Sequence, residues 1–112
     1  MLFRSKTMTV YVVQESPKFN LLPAAEYGEL QTLLPPGQVM MATAPTIRVL
    51  RDKLRNFSDS DYLLAIGDPI AIGMSVAIAA GFNSGKIKML KWDRQEHRYY
   101  AIEADLTGAR HA

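Results

Sequence analysis

The sequence predicts a small α/β domain, with a mixed sheet of about five strands and two main helices in the order β-β-α-β-α-β-β. Three observations predict it. Thr9–Val13 (TVYVV) is β-branched and aromatic throughout, as in a strand buried on both faces. Tyr62–Gly81 (YLLAIGDPIAIGMSVAIAAG) reads as a strand, a break at Gly67 and a helix. Lys86–Trp92 and Arg98–Ala104 read as two strands joined by a short polar loop.

The 112 residues make one domain, large enough to bury a core without disulfides or metal. Residues 1–7 and 107–112 are expected to be loose ends. The absence of cysteine excludes disulfides, a thiol nucleophile and a Cys-based zinc site, and fits a reducing compartment. Gly67-Asp68-Pro69 and Gly73 interrupt the apolar runs, none of which reaches the roughly 18 residues needed to cross a bilayer. The N-terminal MLFRSKT is too short and too polar for a signal peptide. A cytoplasmic protein without membrane contact is the expectation.

After the first strand the chain turns over Gln14–Asn20. Pro23–Tyr27 is a short helical piece closed by Gly28, with Leu21, Leu22 and Tyr27 expected to fold back on the core. Glu29–Leu34 is the second strand, ended by Pro35-Pro36-Gly37, and Val39–Met41 is read as a short strand extension. Thr43-Ala44-Pro45 starts a helix whose apolar face carries Ile47, Leu50, Leu54 and Phe57 at helical spacing. Ser58–Asp61 connects it to the third strand, Tyr62–Ile66. Asp68 and Pro69 then suit a helix start, because the carboxylate accepts orphan N–H groups and proline has none to leave unsatisfied. Two strand–helix–strand crossovers, spanning 29–66 and 62–92, require parallel neighbours, and the closing hairpin adds an antiparallel edge.

Three places could carry function. The Gly67-Asp68-Pro69 turn, with Gly73 one turn on, has the position of a ligand site beyond a strand end. It lacks the glycine patterns of a nucleotide loop, however, and Asp68 sets a carboxylate where a phosphate would sit. The capping role is the stronger reading. The helix from Ile70 to Ala80 carries no charge, so it should be covered on nearly all sides, by its own chain or by a second copy. Gly73, Ala77 and Ala80 would permit close approach.

Positive charge is gathered in two stretches although the net charge is only +2. Arg48, Arg51 and Arg55 share one helical stripe, which could lie along phosphates or simply face solvent. Lys86, Lys88, Lys91, Arg94 and Arg98 interleave with Trp92, Tyr99 and Tyr100, a composition suited to single-stranded nucleic acid. Edge strands also carry lysines merely to block aggregation. In the alternation, Lys86 and Lys88 share a face with Leu90 and Trp92, and Ile87 shares the other with Met89.

Catalytic groups are thin. His97 and His111 fall in a loop and a tail without metal-ligand spacing, and Asp59 with Asp61 lacks a third oxygen ligand. No acid–base pair or activated nucleophile is identifiable, and no cofactor is expected.

Tyr27-Gly28-Glu29-Leu30, Gly67-Asp68-Pro69 with Ala71-Ile72-Gly73, and Leu90-Lys91-Trp92-Asp93-Arg94-Gln95 resemble short proteins encoded in bacteriophage and prophage genomes. The resemblance runs from Val10 to Leu106. It implies a phage context and the host-cell cytoplasm, and it brings no functional residues. With the uncharged helix, it leads to the expectation of a non-catalytic accessory protein that binds a host or phage macromolecule and forms a homo-oligomer. Nucleic-acid binding at the hairpin and a small ligand at Gly67-Asp68-Pro69 are the alternatives.

Overall fold

The computed structural model describes residues 8–37 and 42–108. Its elements follow the chain as β1 (Thr9–Gln14), a 3-10 helix (Leu22–Tyr27), β2 (Glu29–Leu34), α1 (Ala44–Leu54), β3 (Tyr62–Leu64), α2 (Pro69–Phe82), β4 (Lys86–Asp93) and β5 (Arg98–Asp105). The five strands form one sheet in the order β2-β1-β3-β4-β5. β1 to β4 run parallel and β5 is antiparallel to β4. The mixed sheet with two main helices is therefore as the sequence predicts. The expected extension over Val39–Met41, His111 and the outer ends of the chain lie outside the described residues.

Strand alternation divides the core in two. On one face Tyr11, Val13, Leu33, Leu63 and Ile87 pack against Leu50 and Leu54 of α1, Phe57, and Ala71 and Ala79 of α2. On the other face Val10, Val12, Leu64, Leu90 and Tyr99 pack against Ala24 of the 3-10 helix. Among the described residues, both helices thus cover one face and only the 3-10 helix covers the other. Right-handed crossovers dictate this, because β1-to-β2 moves in the opposite direction along the sheet from the other two connections.

Two sequence expectations need correction. β3 ends at Leu64, two residues early, because Ile66 N–H turns back to the Leu64 carbonyl (2.9 Å) while the Ile66 carbonyl still accepts from Gln14 N–H (2.9 Å). Leu22 does not fold onto the core: it is 76% exposed, whereas Leu21 and Tyr27 do pack there. Gly28 is required by crowding, since a Cβ would lie 2.5 Å from the Met8 carbonyl oxygen. At the chain's far end, Thr107 and Gly108 close a turn on Asp105.

Candidate binding surfaces

The β3–α2 turn lies at the sheet's switch point, where the connections leaving neighbouring β1 and β3 pass to opposite faces. Open α/β sheets place their ligand crevice there. Here the protein's own Gln14 fills it. This side chain is buried at the end of β1. Its Oε1 accepts from Asp68 N–H (2.6 Å), and its Nε2 donates to the carbonyls of Pro35 (2.8 Å) and Gly37 (2.7 Å). Gly67 has a positive φ of 134°, and a Cβ there would sit 2.6 Å from Gln14 Oε1. Glycine is therefore demanded by the amide behind it as well as by the backbone.

Asp68 caps α2, its Oδ2 accepting from the backbone N–H groups of Ile70 (3.0 Å) and Ala71 (3.2 Å). The donors that would greet an anion are satisfied internally. Gly73 is not drawn into this turn: it lies on the exposed side of α2, with open space where a Cβ would project.

The covering expected for α2 is only half supplied by the described residues. Ala71, Ser75 and Ala79 point inward, and the Ser75 hydroxyl donates to the Ala71 carbonyl (2.8 Å), so its burial leaves no orphan. On the opposite side Ile70 is 58% exposed, and Gly73, Ala77 and Gly81 continue an uncharged, solvent-facing stripe. α1 contrasts with it, presenting Arg48 and Asp52 to solvent, with Arg55 exposed just past its end.

The arginine stripe is partly engaged. The Arg51 guanidinium lies over the Phe82 ring at 5.0 Å, tying α1 to the end of α2, and Arg55 is 3.4 Å from Asp52. Arg48 remains exposed beside Val49.

The structure does not gather the second basic stretch into one surface. Lys86 and Lys88 sit at the start of β4, opposite Asp105 and Glu103 of β5, while Arg98 is opposite Asp93 at the far end. Opposite residues in antiparallel strands lie close enough for their charges to offset. Lys88 Nζ also lies 4.4 Å above the Tyr62 ring. Lys91 and Arg94 are exposed at the hairpin end. Trp92 is half-buried, edge-on to Tyr99 (4.9 Å) and to His97 (6.3 Å), so its ring is largely committed to packing. The expected alternation holds, with Ile87 and Met89 on the helix side and Leu90 and Trp92 on the other.

Two cavities flank β4. One of about 530 Å³ near its start is lined by Asp59, Asn83, Lys86, Lys88 and Glu103, a mixture of both charges. The other, of about 260 Å³ beyond β3, is walled by Phe19, Leu64, Ile66, Trp92 and Tyr99. Among the described residues no group of three His, Asp or Glu side chains could hold a metal ion.

Two polar groups that the sequence places in a turn and a loop, Gln14 and Asp61, are buried. Asp61 accepts from the N–H groups of Thr9 (3.1 Å) and Ser58 (2.9 Å), fixing the start of β1 to the α1–β3 connection. Burial raises the Tyr11 hydroxyl pKa above its ordinary value, assisted by the Asp61 carboxylate, and burial raises that of Tyr99 likewise.

A family model for phage Pam3 gp32-like protein matches residues 8–106, and the chain belongs to that family. No curated protein and no solved structure matches it.

Proposed function

We propose that this phage-family chain is a non-catalytic accessory protein, working in the host-cell cytoplasm, that binds a macromolecular partner and associates with itself. The observation that carries this reading is the outer side of α2. An uncharged helix normally has its whole circumference covered, and here, among the described residues, nothing covers the side from Ile70 through Ala77 to Gly81. The fit of Gln14 and Asp68 into the switch-point crevice favours this over a small ligand there. The carboxylates facing Lys86, Lys88 and Arg98 favour it over phosphate recognition along β4 and β5.

The test combines sedimentation velocity over a concentration series with capture of partners from host lysate, using wild type and Ala77→Glu. Ala77 is exposed, so the variant should fold normally and lose capture, self-association or both. A wild-type chain that stays monomeric and captures nothing that Ala77→Glu loses would sink the proposal. Tight oligonucleotide binding that weakens steeply with salt would replace it with the nucleic-acid reading.

A further inference from the structure

We propose that two copies of this chain join through antiparallel pairing of their β5 edges, centred on Ile102, so that two sheets become one. This rests on the self-association proposed above and assigns it to the β5 edge with a register, leaving the outer side of α2 to the macromolecular partner.

β5 is eight residues long, and its one-to-one pairing with β4 from Lys86↔Asp105 to Asp93↔Arg98 contains no bulge. It contains no proline. Edges built this way invite another strand, and proteins usually defend them with bulges, prolines or lysines. The opposite edge is defended: Lys53 Nζ reaches the carbonyls of Thr32 (3.4 Å) and Leu33 (3.0 Å), and Pro35-Pro36 follows β2. On β5 the corresponding contact is Tyr27 Oη donating to the Tyr99 carbonyl (2.8 Å), at the strand's beginning. The stretch around Ile102 lies beyond it.

The side chains there are apolar and exposed. Tyr100 is 37% and Ile102 39% exposed. Strand alternation puts both on the face of Ala104, which packs with Met89 against the core beneath the helices. An apolar strip thus runs beside α2 to the edge of the sheet.

The occupant must complement that strip, and β5 complements itself. A two-fold contact needs residue i to meet j and j to meet i. Centred on Ile102, the pairing sets Ile102 against its own copy and Tyr100 against Ala104 of the second copy, all on one face. The strand begins with Arg98 and ends with Glu103 and Asp105, so an antiparallel partner brings each cationic start to the other's acidic end. A parallel partner would align like with like. The neighbouring registers are worse: centring on Glu103 opposes two carboxylates, and centring on Ala101 sets Arg98 against Ala104 in place of Tyr100. The Tyr99 carbonyl that Tyr27 meets enters the Ile102 register only at its outer end, opposite Asp105.

The full chain has no cysteine, so a single introduced thiol reports on one position. Directly opposite residues of antiparallel strands have Cα atoms about 4.5–5.5 Å apart, within disulfide reach. In Ile102→Cys the two thiols would be opposed. In Tyr100→Cys they would be offset by four residues, about 13 Å. Under mild oxidation, Ile102→Cys should form at least about tenfold more disulfide dimer than Tyr100→Cys, because only the first pair is within bonding distance. Ile102→Lys should sediment as a monomer at concentrations where wild type is dimeric, with an unchanged circular dichroism spectrum. If wild type is dimeric but the two cysteine variants cross-link equally and Ile102→Lys still dimerises, the β5 pairing is wrong while self-association stands. A wild type that is monomeric at every concentration overturns both.

Discussion

At the β2 edge a lysine ammonium lies over two strand carbonyls, two prolines follow the last residue, and the buried Gln14 amide holds the chain beyond them. At the β5 edge a tyrosine hydroxyl meets the Tyr99 carbonyl, and large apolar side chains stand half-exposed beyond it. Both edges belong to one sheet, so the contrast comes from local sequence and not from fold. It teaches that edge strands should be judged by what meets their backbone groups, because both edges also carry charges. At β5 these face carboxylate and cation partners on β4, so among the described residues they do less to guard the outer rim around Ile102.

The largest test of the contrast is Gln14→Leu. It keeps the volume roughly but leaves the Asp68 N–H and the Pro35 and Gly37 carbonyls without their partner. At about 1–3 kcal/mol for each group left unsatisfied in a buried site, less where water can enter, we expect a loss of about 3–5 kcal/mol in urea unfolding. Amide exchange should quicken at the β3–α2 turn while β5 is unaffected. A loss below about 1 kcal/mol would mean that Gln14 is not what anchors this edge.

Tyr27→Phe removes the hydroxyl that meets the Tyr99 carbonyl on the β5 rim. The expected cost is about 1 kcal/mol by thermal or chemical unfolding. An unchanged stability would show that water replaces the hydroxyl at no cost, making the β5 edge barer still.

Alkaline titration probes the faces beneath the two edges, Tyr11 below the helices and Tyr99 below the 3-10 helix. Both hydroxyls have folded pKa values raised above the ordinary 10.0, chiefly by burial. The folded state therefore holds these protons more tightly than the unfolded chain. Their stabilisation is complete below pH 10.0 and is lost as pH rises through the folded values. Unfolding midpoints should fall above that pH in step with tyrosinate absorbance, and Tyr11→Phe should reduce the slope.

Lys53→Met is the mildest change. Lys53 is exposed, so stability should stay within about 0.5 kcal/mol. Uncovering the Thr32 and Leu33 carbonyls should nevertheless make β2 stickier, read as added concentration dependence in light scattering. No added association would indicate that the prolines alone protect that edge.

Much of this architecture is written in local signals. Strand runs at Thr9 and Glu29, the Ile47–Phe57 face, and the Asp68-Pro69 start each lie within a few residues, and each element formed where its signal stands. What escaped depends on distance. Gln14 reads as a residue leaving a strand, because its partners lie 21, 23 and 54 positions on. Asp61 reads as a loop residue, because Thr9 is 52 positions away. The carboxylates opposite Lys86 and Lys88 follow only from the register of β4 on β5. The missing charge on α2 was legible; that the described residues leave one side uncovered was not, since that depends on how far the sheet and α1 reach around it.

The shortness of β3 has a mechanical consequence. This central strand is three residues long, and its register with β4 comprises only Leu63↔Met89 and Leu64↔Leu90. The sheet is therefore two ribbons, β2 with β1 and β4 with β5, stitched at a narrow waist and strapped across it by α2. Load applied between the ribbons concentrates at that waist, and the helix becomes a safety tether.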